Sequence, residues 1–266
     1  MSGEAQNDRR SAPADRPKVR LRGIEKSFGP KDVLRGIDLD VAAGESLVIL
    51  GGSGTGKSVL LKHVIGLLQP DAGTVEVDGI DLATLSPREL IAFRRRFGMS
   101  FQEGALFDSM TVGENIAFPL RRQRPRRPKG EIRDRIRECL ETVGLDGVED
   151  RLPSQLSGGM RRRVGFARAI ALEPEILLFD EPTTGLDPVM TAVIDQVIID
   201  LGRELGSTSL VITHDLTSAF RIADRIAMIH RGQILAVAEP EVFRQLDDPR
   251  IRQFLDGRAD GPLTDD

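Results

Sequence analysis

Ser46-Leu47-Val48-Ile49-Leu50-Gly51-Gly52-Ser53-Gly54-Thr55-Gly56-Lys57-Ser58-Val59-Leu60-Leu61 is the stretch that decides the fold. Ser46 to Leu50 is a short apolar run ending in glycines, which predicts a strand buried on both faces. Leu60, Leu61, Val64, Ile65, Leu67 and Leu68 then recur at helical spacing. Between strand and helix, Gly51 to Ser58 fits the pattern G-x-x-x-x-G-K-[ST]. Glycines let backbone N–H groups turn inward around a polyphosphate, which bulkier residues would prevent. The Lys57 ammonium is placed to reach the terminal phosphates, and the Ser58 hydroxyl to help hold Mg²⁺. The helix that begins here presents its positive end to the anion. Residues Gly51, Gly52, Ser53, Gly54, Thr55, Gly56, Lys57, Ser58 and Val59 are therefore the expected nucleotide-binding set. The use of the nucleotide stays open, because kinases, GTPases and motor ATPases share this loop.

Outward from the loop, short strands alternate with helices. Val19 to Phe28 and Leu34 to Val41 alternate in polarity, with a Gly29-Pro30 turn between them. Gly73 to Leu82 alternates again, turning at Asp78-Gly79. Ser86-Pro87 opens a helix, since Ser caps and Pro fits the first turn. Ile132, Ile136, Cys139, Leu140 and Val143 share one face of a helix over 131–143. Ile176 to Phe179 and Leu210 to Thr213 are two more short apolar strands. Asp187-Pro188 caps a helix expected to turn Val189, Val193, Val197, Leu201 and Leu205 inward. This order predicts an α/β layered fold with a mostly parallel sheet and an extra antiparallel layer. Residues 1–17 hold little to bury and read as a disordered tail.

Composition bounds the rest. The chain has 266 residues, 40% apolar and 29% charged, enough to bury a core without covalent staples. The charge is 37 minus 41, or −4, and no basic patch is interleaved with aromatics, so nucleic acid is not an expected partner. One cysteine, Cys139, allows no disulfide within the chain and fits a reducing compartment. No apolar run approaches the ~18 residues of a membrane span, and no secretory signal is evident. Three scattered histidines and one cysteine make no zinc site, and His63 and His230 read as structural. Arg121, Arg122, Arg124, Arg126, Arg127 and Lys129 fall in a loop broken by Pro125 and Pro128. That loop is either a solvated charged segment or a surface for anionic headgroups or an acidic partner.

Three further segments choose the family. Leu156-Ser157-Gly158-Gly159-Met160 lies beyond the helix over 131–143, Ile176 to Phe179 runs into Asp180-Glu181, and Thr213-His214-Asp215 ends the next strand. A bare Asp180 at the end of an apolar strand needs a counter-ion, which Mg²⁺ beside Ser58 would supply. Glu181, one residue on, can face an attacking water. In this order, together with the phosphate loop, the segments resemble the ATP-binding cassette ATPases that drive membrane transporters. The resemblance covers about residues 18–262. It implies the P-loop cassette fold: a RecA-like, mostly parallel sheet, an antiparallel β subdomain and an α-helical subdomain at about 104–160. The cassette is expected over 18–250, with 251–266 as a C-terminal tail.

The resemblance also implies roles. Glu181 would be the general base and His214 the histidine that contacts the γ-phosphate. Gln102 matches the glutamine loop, which senses Mg²⁺ and leads into the part that grips a permease. Two copies would pair head to tail as a homodimer, so that Ser157, Gly158 and Gly159 of one reach the ATP held by Lys57 of the other. Met160 departs from the commoner Gln there. Asp187, in Gly185-Leu186-Asp187-Pro188, matches the loop that reaches the opposite site, and it also caps a helix. Phe28 matches the aromatic that stacks on adenine, where Tyr is commoner. A core position is the other reading of Phe28.

More narrowly, Phe101 to Met110 with Glu114-Asn115 and Phe118 to Leu120 looks like the ATPases paired with lipid-shuttling MCE proteins. Arg252 to Pro262 resembles the end of the ATPase in the Mla-type system that maintains outer-membrane lipid asymmetry. Relatives can run on beyond this point and wrap the neighbouring ATPase. The implied setting is phospholipid cargo, an integral-membrane permease, a periplasmic MCE-domain protein and a STAS-domain regulator. The implied place is the cytoplasmic face of the bacterial inner membrane. The alternatives are another cargo, such as an amino acid or a lipoprotein, a soluble cassette ATPase of DNA repair or translation, and a scaffold that binds ATP without hydrolysing it.

Overall fold

The computed structural model describes residues 16–101, 104–123 and 125–264. The chain opens with β1 (Val19–Phe28) and β2 (Lys31–Val41), an antiparallel hairpin, followed by β3 (Ser46–Leu50) and α1 (Lys57–Val64). β4 (Ala72–Val77) and β5 (Ile80–Asp81) extend the hairpin to a four-stranded sheet in the order β2-β1-β4-β5. α2 (Pro87–Phe93) begins at a full capping box between Ser86 and Glu89. α1 is shorter than the apolar spacing predicts. Gly66 takes φ 69°, and the Gly66 and Leu67 amides close back on the His63 and Lys62 carbonyls. That left-handed stop leaves Leu67 48% exposed.

β6 (Phe97–Ser100) then leads into three helices, α3 (Val112–Arg121), α4 (Lys129–Thr142) and α5 (Gly158–Ile170). The helical segment expected over 104–160 thus continues to Ile170, because Ser157 caps α5 and its apolar face (Val164, Phe166, Ala167, Ile170) stays buried. β7 (Ile176–Asp180), α6 (Pro188–Leu205), β8 (Thr208–Thr213), α7 (Leu216–Ile222), β9 (Arg225–His230) and β10 (Gln233–Ala238) follow. Two short helices close the chain, α8 (Pro240–Phe243) and α9 (Pro249–Asp256).

The second sheet has six strands in the order β10-β9-β3-β8-β7-β6. β6, β7, β8, β3 and β9 run parallel, and β10 is antiparallel to β9. Both faces of its centre are covered, which explains the continuous apolar runs. Leu47, Ile49, Ile176, Leu178, Leu210 and Ile212 join a core shared with the antiparallel sheet and α1. Val48, Leu50, Leu177, Phe179 and Val211 join a core shared with the helices. There Phe166 of α5 meets Phe179 of β7 edge-on, with ring centroids 5.1 Å apart. Register places Leu50 opposite Thr213 and Asp180 opposite Ile212. The carboxyl ends of β3, β7 and β8 therefore open at one edge, where parallel α/β sheets bind ligands.

Two expectations are corrected. Of the residues expected inward on α6, Leu201 is buried and Val197 and Leu205 pack on the core, but Val189 is 72% exposed and Val193 37% exposed, and Ile194 and Ile198 are buried in their stead. Near its start the helix offers apolar residues on two sides, and the core takes Ile194 rather than Val193. The boundary expected at residue 250 falls inside α9, whose Ile251 and Gln253 are buried. Residues 251–264 are thus a packed part of the fold; residues 1–15 and 265–266 lie outside those described.

Candidate active site

The loop after β3 wraps the start of α1. Gly56 precedes that helix at φ 105°, and a Cβ there would stand 2.9 Å from the Val33 carbonyl oxygen and 2.8 Å from Leu34 Cδ2. Only glycine meets both conditions. Thr55 Oγ1 donates to the Gly52 carbonyl at 2.9 Å and tightens the turn. The Lys57 side chain is 7% exposed, and its ammonium donates to the carbonyls of Gly51 at 2.7 Å and Gly52 at 3.0 Å. A cation is thus held over the loop by two carbonyl oxygens, with the Glu181 carboxylate 3.4 Å away.

The carboxylates come from the end of β7. In a regular strand, successive side chains point to opposite faces. Glu181 breaks that alternation by taking φ 51°, a left-handed conformation rare outside glycine, while its amide donates to the Ile212 carbonyl at 2.9 Å. The turn sends Asp180 and Glu181 into the same cavity. Such strain costs on the order of 1–3 kcal/mol and tends to be kept where a site needs it. Ser58 Oγ donates to Asp180 Oδ1 at 3.2 Å. Burial pushes the Asp180 carboxyl above its usual range, the Ser58 bond opposes this, and the Glu181 charge adds to it. No Lys or Arg nitrogen forms an ion pair with Asp180 among the described residues.

Glu181 is crowded by three groups. The Lys57 ammonium lies 3.4 Å from Oε1, His214 Nδ1 lies 2.8 Å from Oε2, and Thr184 Oγ1 donates to Oε2 at 3.0 Å. His214 follows β8, and Asp215 caps α7 by accepting from the Thr217 and Ser218 amides. His214 is thereby held at a strand-to-helix corner. His63, by contrast, is buried in α1 with Nδ1 2.8 Å from the Val59 carbonyl oxygen, as expected of a structural histidine.

The cavity is about 800 Å³. The structure gathers Gly52 to Val59, Asp180, Glu181 and His214 into its lining. Gly51 contributes its carbonyl to Lys57. Four lining residues were not predicted: Lys31, Val33, Thr184 and Phe254. Thr184 lay three residues from Glu181, a turn spacing that could have flagged it. Lys31, Val33 and Phe254 carry no local signal. Phe28 does not line the cavity. It is 47% exposed, which excludes the core reading, and it pairs across the hairpin with Lys31, which does line it.

The Ser157-Gly158-Gly159 segment stands apart. Ser157 Oγ caps α5 by accepting from the Met160 amide at 3.2 Å. Gly158 faces a separate hollow of about 400 Å³, which it shares with Gly185, and Asp187 caps α6 two residues beyond Gly185. Within one chain these residues do not reach the Lys57 cavity. Gln102 lies outside the described residues.

Residues 34–184 match the family model described as ABC transporter. The chain belongs to the ABC transporter family. It is 45% identical to the probable ribonucleotide transport ATP-binding protein mkl of Mycobacterium leprae, over 92% of this chain and 70% of that one. It is 40% identical to the intermembrane phospholipid transport system ATP-binding protein MlaF of Escherichia coli, over 92% of this chain and 91% of that one. Among solved structures, the dimeric bacterial ABC transporter cassette MJ0796 is 34% identical and superposes with a TM-score of 0.77, covering 84% of this chain and 98% of that one. The same cassette is known as a dimer in a post-hydrolysis state bound to ADP and Pi, at a TM-score of 0.76. The chain is the ATP-binding, ATP-hydrolysing subunit of an ABC transporter, a class whose ATPases work as dimers with a membrane permease. No helix among the described residues is long and apolar enough to cross a membrane.

Proposed function

We propose that this chain powers phospholipid transport between bacterial membranes through a partner permease. The observation that carries the reading is the end-to-end match to MlaF, which spans nine-tenths of both chains. The ATPase sits on the cytoplasmic face of the inner membrane, held there by its permease. A periplasmic MCE-domain protein on the far side and a STAS-domain regulator complete the assembly. A second reading, ribonucleotide as cargo, is favoured by the 45% identity to mkl, of which the match spans 70%. The test is a pull-down from detergent-solubilised native membranes that identifies bound proteins and bound lipids. A polytopic permease with an MCE-domain protein and phospholipid is expected. A permease without either would discard the lipid cargo and keep the ATPase.

The residue roles follow from the cavity. The loop amides and Lys57 bind the β- and γ-phosphates. Ser58 and Asp180 fit Mg²⁺: a hydroxyl and a half-buried carboxylate, 3.2 Å apart, form an oxygen pair with no Lys or Arg in an ion pair with it among the described residues. When bound, Mg²⁺ would neutralise charge developing on the phosphates. Glu181 orients the attacking water, and its crowding by Lys57, His214 and Thr184 sets the carboxylate at the cavity's catalytic end. As Lys57 turns to phosphate, it leaves Glu181 free to take that water. His214, beside Glu181, is the γ-phosphate contact. Gln102 completes the metal and water set and leads toward the permease-facing helices at about 104–160. Ser157, Gly158, Gly159 and Asp187 serve the site of the second copy, and their separation from Lys57 within one chain supports that reading. Phe28 and Val59 complete the nucleotide contacts.

A further inference from the structure

Arg161, Arg162 and Arg163 follow one another in α5, and each reaches a different backbone oxygen. Arg161 Nη1 donates to the Leu156 carbonyl at 2.8 Å, and Arg163 Nη1 to the Gly144 carbonyl at 2.9 Å, so both bonds stay within the helical part. Arg162 reaches out of it. Its Nη2 donates to the carbonyl of Thr184, in the turn after β7. Arg162 is 8% exposed. A charge that deep is kept where it is well partnered, and a charged donor bonds a carbonyl more strongly than a neutral one.

Thr184 is held at one end and holds at the other. Its carbonyl accepts from Arg162, and its hydroxyl donates to Glu181 Oε2 at 3.0 Å. Its amide also donates to the Glu181 carbonyl at 3.4 Å. One residue therefore separates the guanidinium from the carboxylate. The two partners line different hollows: Arg162 the one with Gly158 and Gly185, Thr184 the phosphate-loop cavity. Their hydrogen bond crosses the wall between the two. Glu181 needs a brace of this kind, because its backbone is in a strained conformation. Of the three groups that crowd its carboxylate, Lys57 and His214 have phosphate to bind in the roles given above, and Thr184 has none.

We infer that Arg162 is a positioning residue of the hydrolysis site, holding the Glu181 carboxylate in place for the attacking water through Thr184. The inference rests on Glu181 being the residue that orients that water. The test measures kcat for ATP turnover and the equilibrium Kd for ATP on the full chain. Arg162→Met keeps the apolar stem and removes the donors. Its kcat is expected to fall about tenfold, less than removal of the base would cause, because the carboxylate is misplaced rather than lost. Its Kd for ATP should stay within about twofold of the parent value. Thr184→Val cuts the same link without removing a buried charge and should show the same split, and Thr184→Ser, which keeps the hydroxyl, should restore kcat. In the double variant of Arg162→Met and Thr184→Val the two losses should not multiply, since both break one chain of contacts. A merely structural role for Arg162 would not give that result. An Arg162→Met loss that persists in full beside Thr184→Val overturns the inference. Parental kcat in Thr184→Val overturns it as well, whether or not Arg162→Met folds. Glu181→Gln separates the two levels. Full turnover there removes the reading of Glu181 itself; turnover lost there, with Arg162 and Thr184 losses that multiply, removes only the role of Arg162.

Discussion

At the residue scale, Glu181 joins backbone strain to chemistry. The left-handed turn that costs stability also carries its carboxylate to Lys57, His214 and Thr184. Glu181→Gln keeps the shape, puts an amide NH2 where one carboxylate oxygen accepts, and removes the base. ATP turnover should fall by roughly 10²- to 10⁴-fold, the range for loss of a positioned general base, while ATP affinity persists. Phosphate release and equilibrium ATP binding, measured on the same preparation, check both halves. Full turnover in the variant would remove Glu181 from the mechanism. Asp180 and Glu181 were legible in the sequence because an apolar strand ending in two acids has few structural uses. Thr184 left only its three-residue turn spacing from Glu181 as a signal, because its contact forms once the turn has closed.

At the element scale, α6 shows how one amphipathic pattern permits two answers. Its expected and observed inward faces share Leu201 and part near the start of the helix, where packing against α7 and α5 takes Ile194 rather than Val193. Ile194 is fully buried, so Ile194→Ala should cost about 2–5 kcal/mol. Val189, at 72% exposed, should tolerate Ser within about 0.5 kcal/mol. Urea unfolding of the two variants checks which side of the helix start faces the core; the reverse ranking would turn Val189 inward.

A second element-scale device joins the two sheets. Lys18 of the segment entering β1 and Arg96 before β6 both bind Glu175, at 2.6 and 2.9 Å, and Arg96 also pairs with Asp78. The Arg96 hydrogen bond, ahead of Lys18, holds the Glu175 carboxyl down to about 2, against an ordinary 4.5. Its stabilising charge is therefore fully present above pH 4.5 and is lost as pH falls toward 2. Because the side chain is 48% exposed, the effect is on the order of 0.5 kcal/mol. Glu175→Gln should lower the urea midpoint at neutral pH, and the gap to the parent protein should narrow by about pH 3. A gap independent of pH would mean that packing, not charge, makes this contact.

At the scale of the whole molecule, the site is divided. Lys57 and Glu181 share one cavity, and Ser157 lies at another. If two copies complete each other's sites, Lys57→Ala and Ser157→Ala chains, each inactive alone, should regain activity when mixed. A mixed dimer holds one intact site and one doubly altered site, so about a quarter to a half of parental turnover is expected if single sites can fire. Turnover in the mixture no higher than in either variant alone would argue against completion in trans. Light scattering of Glu181→Gln with ATP should show the dimer that such sharing requires.

The sequence by itself determined the phosphate loop, the strand-ending acids and the alternation of strands and helices. Those features are local: each depends on the spacing of a few neighbouring residues and on the chemistry of their side chains. The tertiary structure decided which residues at the start of α6 are buried, and that α9 reaches the nucleotide cavity. Those outcomes depend on which surfaces meet. A helix start with apolar residues on two sides, or a phenylalanine far from the loop it joins, finds its place only when the sheets and helices close around one core.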